Sequence, residues 1–271
     1  MGRPVAIVTG ASGGIGLALG RELAEGGHDL VLVSRSVEKL DQVARELSTQ
    51  FHVDVECCPH DLSDPGSIDT LWREVSTHTP DLDVLVNNAG CGLHGAFSGQ
   101  DVTAIERLIT LNVTAVTMLT RLALPHMLAQ GRGRILNVAS VAAYQPGGPH
   151  EAVYYATKAF VLSFTKALSS ELQGTGVTAT ALCPGPTKTS FDASAGASET
   201  ALYTWTPPMS AAAVARAGYR GMMRGARVVI PGALSKLMAF AGELPPRRLA
   251  LEVNRLLLKD GRTREGEALK R

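Results

Sequence analysis

The seven histidines of this 271-residue chain include no His-x-x-x-His pair, and no mixed Cys/His cluster is read among them, so no metal site is expected. Paired cysteine spacing is missing as well. Cys57, Cys58, Cys91 and Cys183 form no framework, and adjacent Cys57 and Cys58 are poorly placed to bridge each other, which points to reduced structural thiols. Nowhere do about 18 apolar residues run together, the length that a spanning helix needs, so no transmembrane segment is expected. The first strand pattern begins at residue 4 and leaves no room for a cleaved signal segment, so a cytoplasmic location is the expectation. A charge excess is absent too. With 26 basic and 25 acidic residues the net charge is +1, which gives no electrostatic reason to expect nucleic acid. Without an internal repeat or a linker, the chain reads as a single domain over residues 1–271.

What the chain does have is alternation. Apolar runs at residues 5–8, 30–33, 53–57, 82–86, 135–138, 177–182 and 228–230 are separated by helical lengths. Seven such runs imply βαβ units: a parallel α/β sheet of about seven strands, doubly wound, with helices on both faces and right-handed crossovers. Hydrophobic residues make up 45% of the chain, enough to bury a sheet on both faces. A ligand crevice is expected at the carboxyl ends of the strands.

The first run leads into Thr9-Gly10-Ala11-Ser12-Gly13-Gly14-Ile15-Gly16, followed by an amphipathic stretch at 17–25. Strand, glycine-rich turn and helix together form a phosphate-binding device. Gly10 permits the tight turn, and Gly16 lets the helix pack on the strand. Small residues allow a pyrophosphate to approach the backbone, where the free N–H groups and positive dipole of the helix face the anion. Gly10, Ser12, Gly14, Ile15 and Gly16 are the candidate contacts. The spacing is Gly-x-x-x-Gly-x-Gly rather than the commoner Gly-x-Gly-x-x-Gly.

Tyr154 and Lys158 stand one helical turn apart on a common face. A phenol has a pKa of about 10, and a fixed ammonium beside it favours the phenolate. Such a pair can exchange protons near neutral pH. Two further signals accompany it: Asn87-Asn88-Ala89-Gly90 directly after the fourth apolar run, and Asn137-Val138-Ala139-Ser140 closing the fifth. In this order and combination the pieces resemble the short-chain dehydrogenase/reductase family over residues 4–231.

The resemblance implies a Rossmann-type domain and hydride transfer between a nicotinamide cofactor and a carbonyl or secondary alcohol. Asn112, Ser140, Tyr154 and Lys158 match the catalytic tetrad. Tyr154 is the general acid/base, Lys158 also holds the nicotinamide ribose, Ser140 hydrogen-bonds the substrate oxygen, and Asn112 anchors a water. Asn88, Ala89 and Gly90 match cofactor contacts, as do Pro184, Gly185, Thr187 and Thr189 at the nicotinamide end. A homodimer or higher homo-oligomer is implied, and the wording around Ser140 and Tyr154 is similar to bacterial reductases of loosely defined substrate. Two departures stand out. The interval from Ser140 to Tyr154 is one residue longer than usual, with 147–150 as the place for a loop bulge. The chain also lacks the glycine-rich ending of tetrameric 3-oxoacyl-carrier-protein reductases, which argues against that activity and that tetramer.

The second run ends in Ser34-Arg35. An NAD-selective fold places a carboxylate here for the ribose 2′-OH. Its absence, with Arg35 able to pair with a 2′-phosphate, favours NADP(H) over NAD(H); a solvated Arg35 near the next helix is the plain alternative. Asp61-Leu62 resembles an adenine contact, or else Asp61 or Ser63 caps a helix. Residues 190–224 read as a substrate loop or lid, although 190–208 also fits a variable surface loop. Residues 232–271 read as a C-terminal helical extension that closes the substrate cavity or forms a subunit contact. Residues 247–271 carry eight basic side chains against four acidic ones beside an apolar stripe. A membrane-associated reductase of lipid-like substrates therefore stays open as an alternative, as does a catalytically idle cofactor-binding module.

Overall fold

The computed structural model describes residues 2–78, 82–189, 208–243 and 247–258. Seven parallel strands form its main sheet: β1 (Val5–Thr9), β2 (Asp29–Ser34), β3 (Val55–Pro59), β4 (Leu82–Asn87), β5 (Gly133–Val138), β6 (Val177–Leu182) and β9 (Val228–Val229). Their order is β3-β2-β1-β4-β5-β6-β9. All seven predicted runs are in it. Alternate side chains along each strand serve opposite cores, as the period of two requires. Ala6, Val8, Leu30, Leu32, Val84 and Val86 join the core under α1 (Gly14–Glu25), α2 (Val37–Phe51) and α7 (Ala211–Met223). Ile7, Val31, Val33 and Leu85 join the other, under α3 (Pro65–His78), α5 (Val116–Gln130) and α6 (Ala152–Glu171).

The strand order reverses between β1 and β4, so their carboxyl ends diverge and open a crevice. Side chains tie these two ends together. Thr9 Oγ1 donates to Val86 O (3.1 Å) and accepts from the backbone N–H of Asn88 (2.9 Å) and Ala89 (3.0 Å). Asn88 Nδ2 donates back to Thr9 O (2.9 Å) and Gly10 O (3.2 Å).

Two sequence expectations need correction. β3 begins two residues later than expected, because His52 takes a left-handed conformation (φ 57°) at the end of α2 and Val53 is spent as a buried plug. The proposed lid over 190–224 is also too long. Residues 190–207 lie outside the described residues, and 211–223 form α7, whose Val214, Ala215 and Met222 are fully buried against the sheet and α1. Short strands β7 (Thr187–Lys188) and β8 (Met209–Ser210) pair beside it, which the sequence pattern does not reveal. Val102–Gln130 is one continuous helical run of 29 residues, long and apolar enough by length and composition to cross a membrane. Its Leu108, Ala115, Leu119, Ala123 and Met127 are buried in the protein core. It comprises α4 (Val102–Ile109), a π-helical turn (Thr110–Ala115) and α5.

If α7 is core and not lid, Met222→Ala should cost about 2–5 kcal/mol, the usual range for a buried large-to-small change. Urea unfolding measures this; a loss near zero would contradict the assignment.

Candidate active site

A cavity of about 560 Å³ opens at the carboxyl ends of the strands. Of the candidate catalytic and cofactor-binding residues, all line it except Gly16 and Asn112. At one end lies the glycine turn. Gly10 has φ +67°, and a side-chain carbon there would come within 2.7 Å of Asn88 Nδ2. At Gly16 the same carbon would collide with Gly10 O and Asn88 Nδ2. Only glycine lets helix α1 sit this close to the β1–β4 clasp. No side chain caps the start of α1 and no acidic residue stands in its first turn, so its N–H groups and positive dipole end are free for an anion. This cradle fits a pyrophosphate.

Beyond the end of β2, Ser34 Oγ donates to Ser12 Oγ (2.8 Å), and Arg35 and Lys39 line the same side of the cavity. No carboxylate occupies the position that would accept from a ribose 2′-OH. Lys39 carries no sequence signal, because it sits inside α2 with no motif around it. Asp61 accepts from Ser63 N (3.0 Å) and Ser63 Oγ (2.6 Å) and pairs with Arg107 (2.7 Å). Burial pushes its pKa up, but the Ser63 hydrogen bonds, Arg107 and Arg35 outweigh that and hold the carboxyl below its ordinary range. Helix α3 starts only at Pro65, so Asp61 is not its cap.

At the other end α6 presents Tyr154 and Lys158. Lys158 is buried, donates to Val138 O at the end of β5 (2.9 Å), and stands 5.8 Å from the centroid of the Tyr154 ring. Burial pushes the Lys158 pKa down to about 8, against the pull of Cys91 and Cys183. Ser140 Oγ accepts from Ala142 N (3.1 Å), an arrangement that leaves the hydroxyl proton for another acceptor. Asn112 lies in the π-helical turn, where the widened backbone carries its amide inward. Its Oδ1 accepts from Cys91 N (3.0 Å), and its Nδ2 donates to Cys91 O (2.9 Å) and Thr157 Oγ1 (3.1 Å). Thr157 Oγ1 in turn donates to Tyr154 O (2.7 Å). Asn112 thus braces the helix that carries Tyr154.

Several cavity residues carried no sequence signal. Glu151, just ahead of α6, is buried, with a carboxylate oxygen 3.4 Å from His94 Nδ1. Tyr155, one step along α6 from Tyr154, also borders the cavity, packed with Ala142 and Leu258. From the C-terminal segment α8 (Ala233–Glu243) and α9 (Arg247–Leu257) contribute Met238, Asn254, Leu257 and, just past α9, Leu258, so this segment does wall the cavity. The four cysteines are free, and burial raises the pKa of each, which leaves them as unactivated thiols. Glu56, Cys58 and Glu74 bring ligand atoms within 4.8 Å of one another, a grouping the histidine spacing did not reveal. Cys58 donates to Glu56 (3.7 Å) and Glu74 bonds His60 (2.7 Å), so the cluster is already closed on itself.

A sequence model described as short chain dehydrogenase matches residues 4–200. An uncharacterized oxidoreductase of Staphylococcus epidermidis is 35% identical over 181 residues, 67% of this chain and 76% of that protein. The very-long-chain 3-oxoacyl-CoA reductase of Bos taurus is 37% identical over 183 residues, 66% of this chain and 58% of its own length. Among solved structures, a short-chain dehydrogenase from Sphingobium yanoikuyae in complex with NADPH superposes with a TM-score of 0.80 at 34% identity, covering 88% of this chain and 92% of that one.

The lowered Lys158 pKa has a consequence for stability. The folded value of about 8 lies below the ordinary 10.5, so between these pH values the unfolded chain binds more protons and stability rises with pH. The burial penalty is complete below pH 8 and absent above 10.5. Lys158→Met removes the titrating group. Its melting temperature relative to wild type should therefore be more favourable at pH 7 than at pH 10, by several degrees. A pH-independent difference would contradict the burial of a charged Lys158.

Proposed function

The chain belongs to the short-chain dehydrogenase family, and on that premise we propose that it is an NADP(H)-dependent oxidoreductase acting on a carbonyl or secondary alcohol. The observation that carries this reading is the convergence of Tyr154, buried Lys158 and the Ser140 hydroxyl on one cavity whose far end is an uncapped glycine cradle. The 1–271 chain works as a single cofactor-binding domain, with the helices beyond residue 232 as the outer wall of the site.

The cofactor's pyrophosphate is held by Gly10, Ser12, Gly14 and Ile15, with Gly16 keeping α1 close. Ser34 and Arg35, helped by Lys39, receive the 2′-phosphate through charge-assisted hydrogen bonds. Asp61 and Leu62 border the adenine, Asn88, Ala89 and Gly90 the middle of the cofactor, and Pro184, Gly185, Thr187 and Thr189 the nicotinamide end. When bound, the nicotinamide supplies or accepts the hydride.

The chain's own residues handle the proton. Ser140 donates a hydrogen bond to the substrate oxygen, where negative charge develops during reduction. Tyr154 gives its proton to that oxygen, or takes one in the opposite direction. The Lys158 ammonium stabilises the charge left on the Tyr154 oxygen. Asn112 keeps the Tyr154 turn of α6 in place and, through the second lone pair of Oδ1, can hold a water near Lys158. Met238, Leu257 and Leu258 give the substrate end an apolar wall, which favours a carbonyl carried on an apolar body. Assembly as a homodimer or higher homo-oligomer is part of the proposal.

Tyr154→Phe should lower turnover by about 10²–10⁴-fold, the usual contribution of a positioned acid or base, while NADPH binding stays near wild type. Activity on a carbonyl panel and fluorescence titration of NADPH measure the two effects; a variant with most of the wild-type rate would sink the role of Tyr154. Arg35→Asp should shift the ratio of kcat/KM values from NADPH toward NADH by about tenfold or more, since it removes a phosphate partner and adds a ribose acceptor. A wild-type preference for NADH would overturn the assignment of Ser34 and Arg35.

A further inference from the structure

Helix α8 is packed inside out. Its small and polar residues face the protein: Ser235, Ala239 and Gly242 are buried, and Gly242 lies so close that a side-chain carbon would come within 2.6 Å of Tyr144 O. Gln145 Nε2 fastens the helix by donating to Met238 O (2.8 Å). Its large apolar residues point the other way, with Leu234 45%, Leu237 62% and Phe240 61% exposed. Helix α9 continues the pattern. Asn254 ties its inner face to Gly147 O (2.7 Å), while Val253 is 46% and Leu256 70% exposed. An amphipathic helix normally buries such residues, so two consecutive helices showing them outward form a surface that needs a cover.

We propose that this surface docks on an anionic phospholipid bilayer. The choice rests on charge. Helix α9 carries Arg247, Arg248 and Arg255 against a single acidic residue, Glu252, and residues 259–271 add five basic residues against three acidic ones. Along α9, Arg248 and Arg255 stand within about 20° of each other by helical angle, together on one side of the Val253–Leu256 stripe, and Arg255 pairs with Glu252 (3.7 Å). A second copy would bring the same excess of basic over acidic side chains to the surface it covers. A negatively charged lipid surface meets both requirements, because it takes the apolar side chains below the headgroups and the arginines among them. Docking seats on the lipid the same two helices whose inner residues wall the cavity, so apolar substrates reach the site from the bilayer. That last consequence rests on the oxidoreductase reading; the docking itself does not.

The test is co-sedimentation of the full chain with phosphatidylcholine vesicles, with and without about 30 mol% phosphatidylglycerol. Wild type should bind the anionic vesicles at least about tenfold better than the neutral ones, and added salt should weaken binding. The double variant L237E/F240E, in residues outside the cavity lining, should lose binding by about tenfold or more while keeping its thermal unfolding transition and its NADPH-dependent activity on a small soluble ketone. Arg255→Glu provides a second arm should the double variant not fold; it should weaken binding to anionic vesicles only. No binding by wild type, or binding unchanged in these variants, would overturn the proposal. So would a wild-type oligomer that L237E/F240E splits into monomers without any vesicle binding, since a second copy would then be the cover. Because sedimentation reads no turnover, its failure leaves the oxidoreductase reading standing.

Discussion

The clasp between Thr9 and Asn88 is the contact on which the rest of the site depends. It uses one hydroxyl and one amide to join the ends of β1 and β4 where the sheet order reverses. A parallel sheet diverges at such a point, and backbone groups left open there would need other partners. The clasp supplies them and fixes the spacing of two loops together. One is the glycine turn, which fits only because neither Gly10 nor Gly16 has a side chain to push against Asn88. The other is Ala89-Gly90, which leads directly to Asn112 and Lys158. A side-chain carbon at Gly90 would lie 3.1 Å from Asn112 Oδ1 and 3.5 Å from Lys158 Nζ, so a side chain here would crowd Asn112.

From there the geometry passes through a short series of polar contacts to the reacting group. The π-helical turn brings Asn112 inward, Asn112 bonds Thr157, and Thr157 bonds the backbone of Tyr154. Lys158, one turn on, gives up hydration to sit against Val138 O. Burial of an ammonium is unfavourable, as its lowered pKa records, and a group held in that state responds strongly to a neighbouring negative oxygen. Under the proposed chemistry this is what makes Tyr154 an effective acid and base. Ser140, at the turn beyond β5, faces the same space because its hydroxyl is pinned by Ala142 N.

Much of this was legible in the sequence because it depends on local patterns. Continuous apolar runs separated by helical lengths marked all seven strands of the sheet, and glycine spacing marked the phosphate turn. Tyr154 and Lys158 stood out by their spacing of one helical turn, and Ser140 and Asn88 by strand-end motifs that resemble those of the family. What could not be read depends on partners distant in the chain. Helix α7 carries small residues at its contacts with α1 and β6, so its Ala- and Gly-rich stretch looked like part of a loop. The π-helical turn leaves no compositional mark, since Thr110 to Ala115 would fit an ordinary helix equally well. Glu151 and His94 are 57 residues apart and meet only in the fold. For α8 the period was visible but its direction was not: a stripe of Leu234, Leu237 and Phe240 says that a helix has two faces, and only the packing of Ser235 and Gly242 shows which one is inside.

The central claim is that this cavity moves a hydride between a nicotinamide and a carbonyl carbon. Incubation of the protein with NADPH deuterated at nicotinamide C4, in each of its two stereochemical forms, and a panel of ketones and 3-oxoacyl thioesters tests it directly. The account predicts an alcohol product carrying one deuterium on the former carbonyl carbon, from one labelled form only. Tight NADPH binding with no labelled alcohol from any carbonyl in the panel would contradict it.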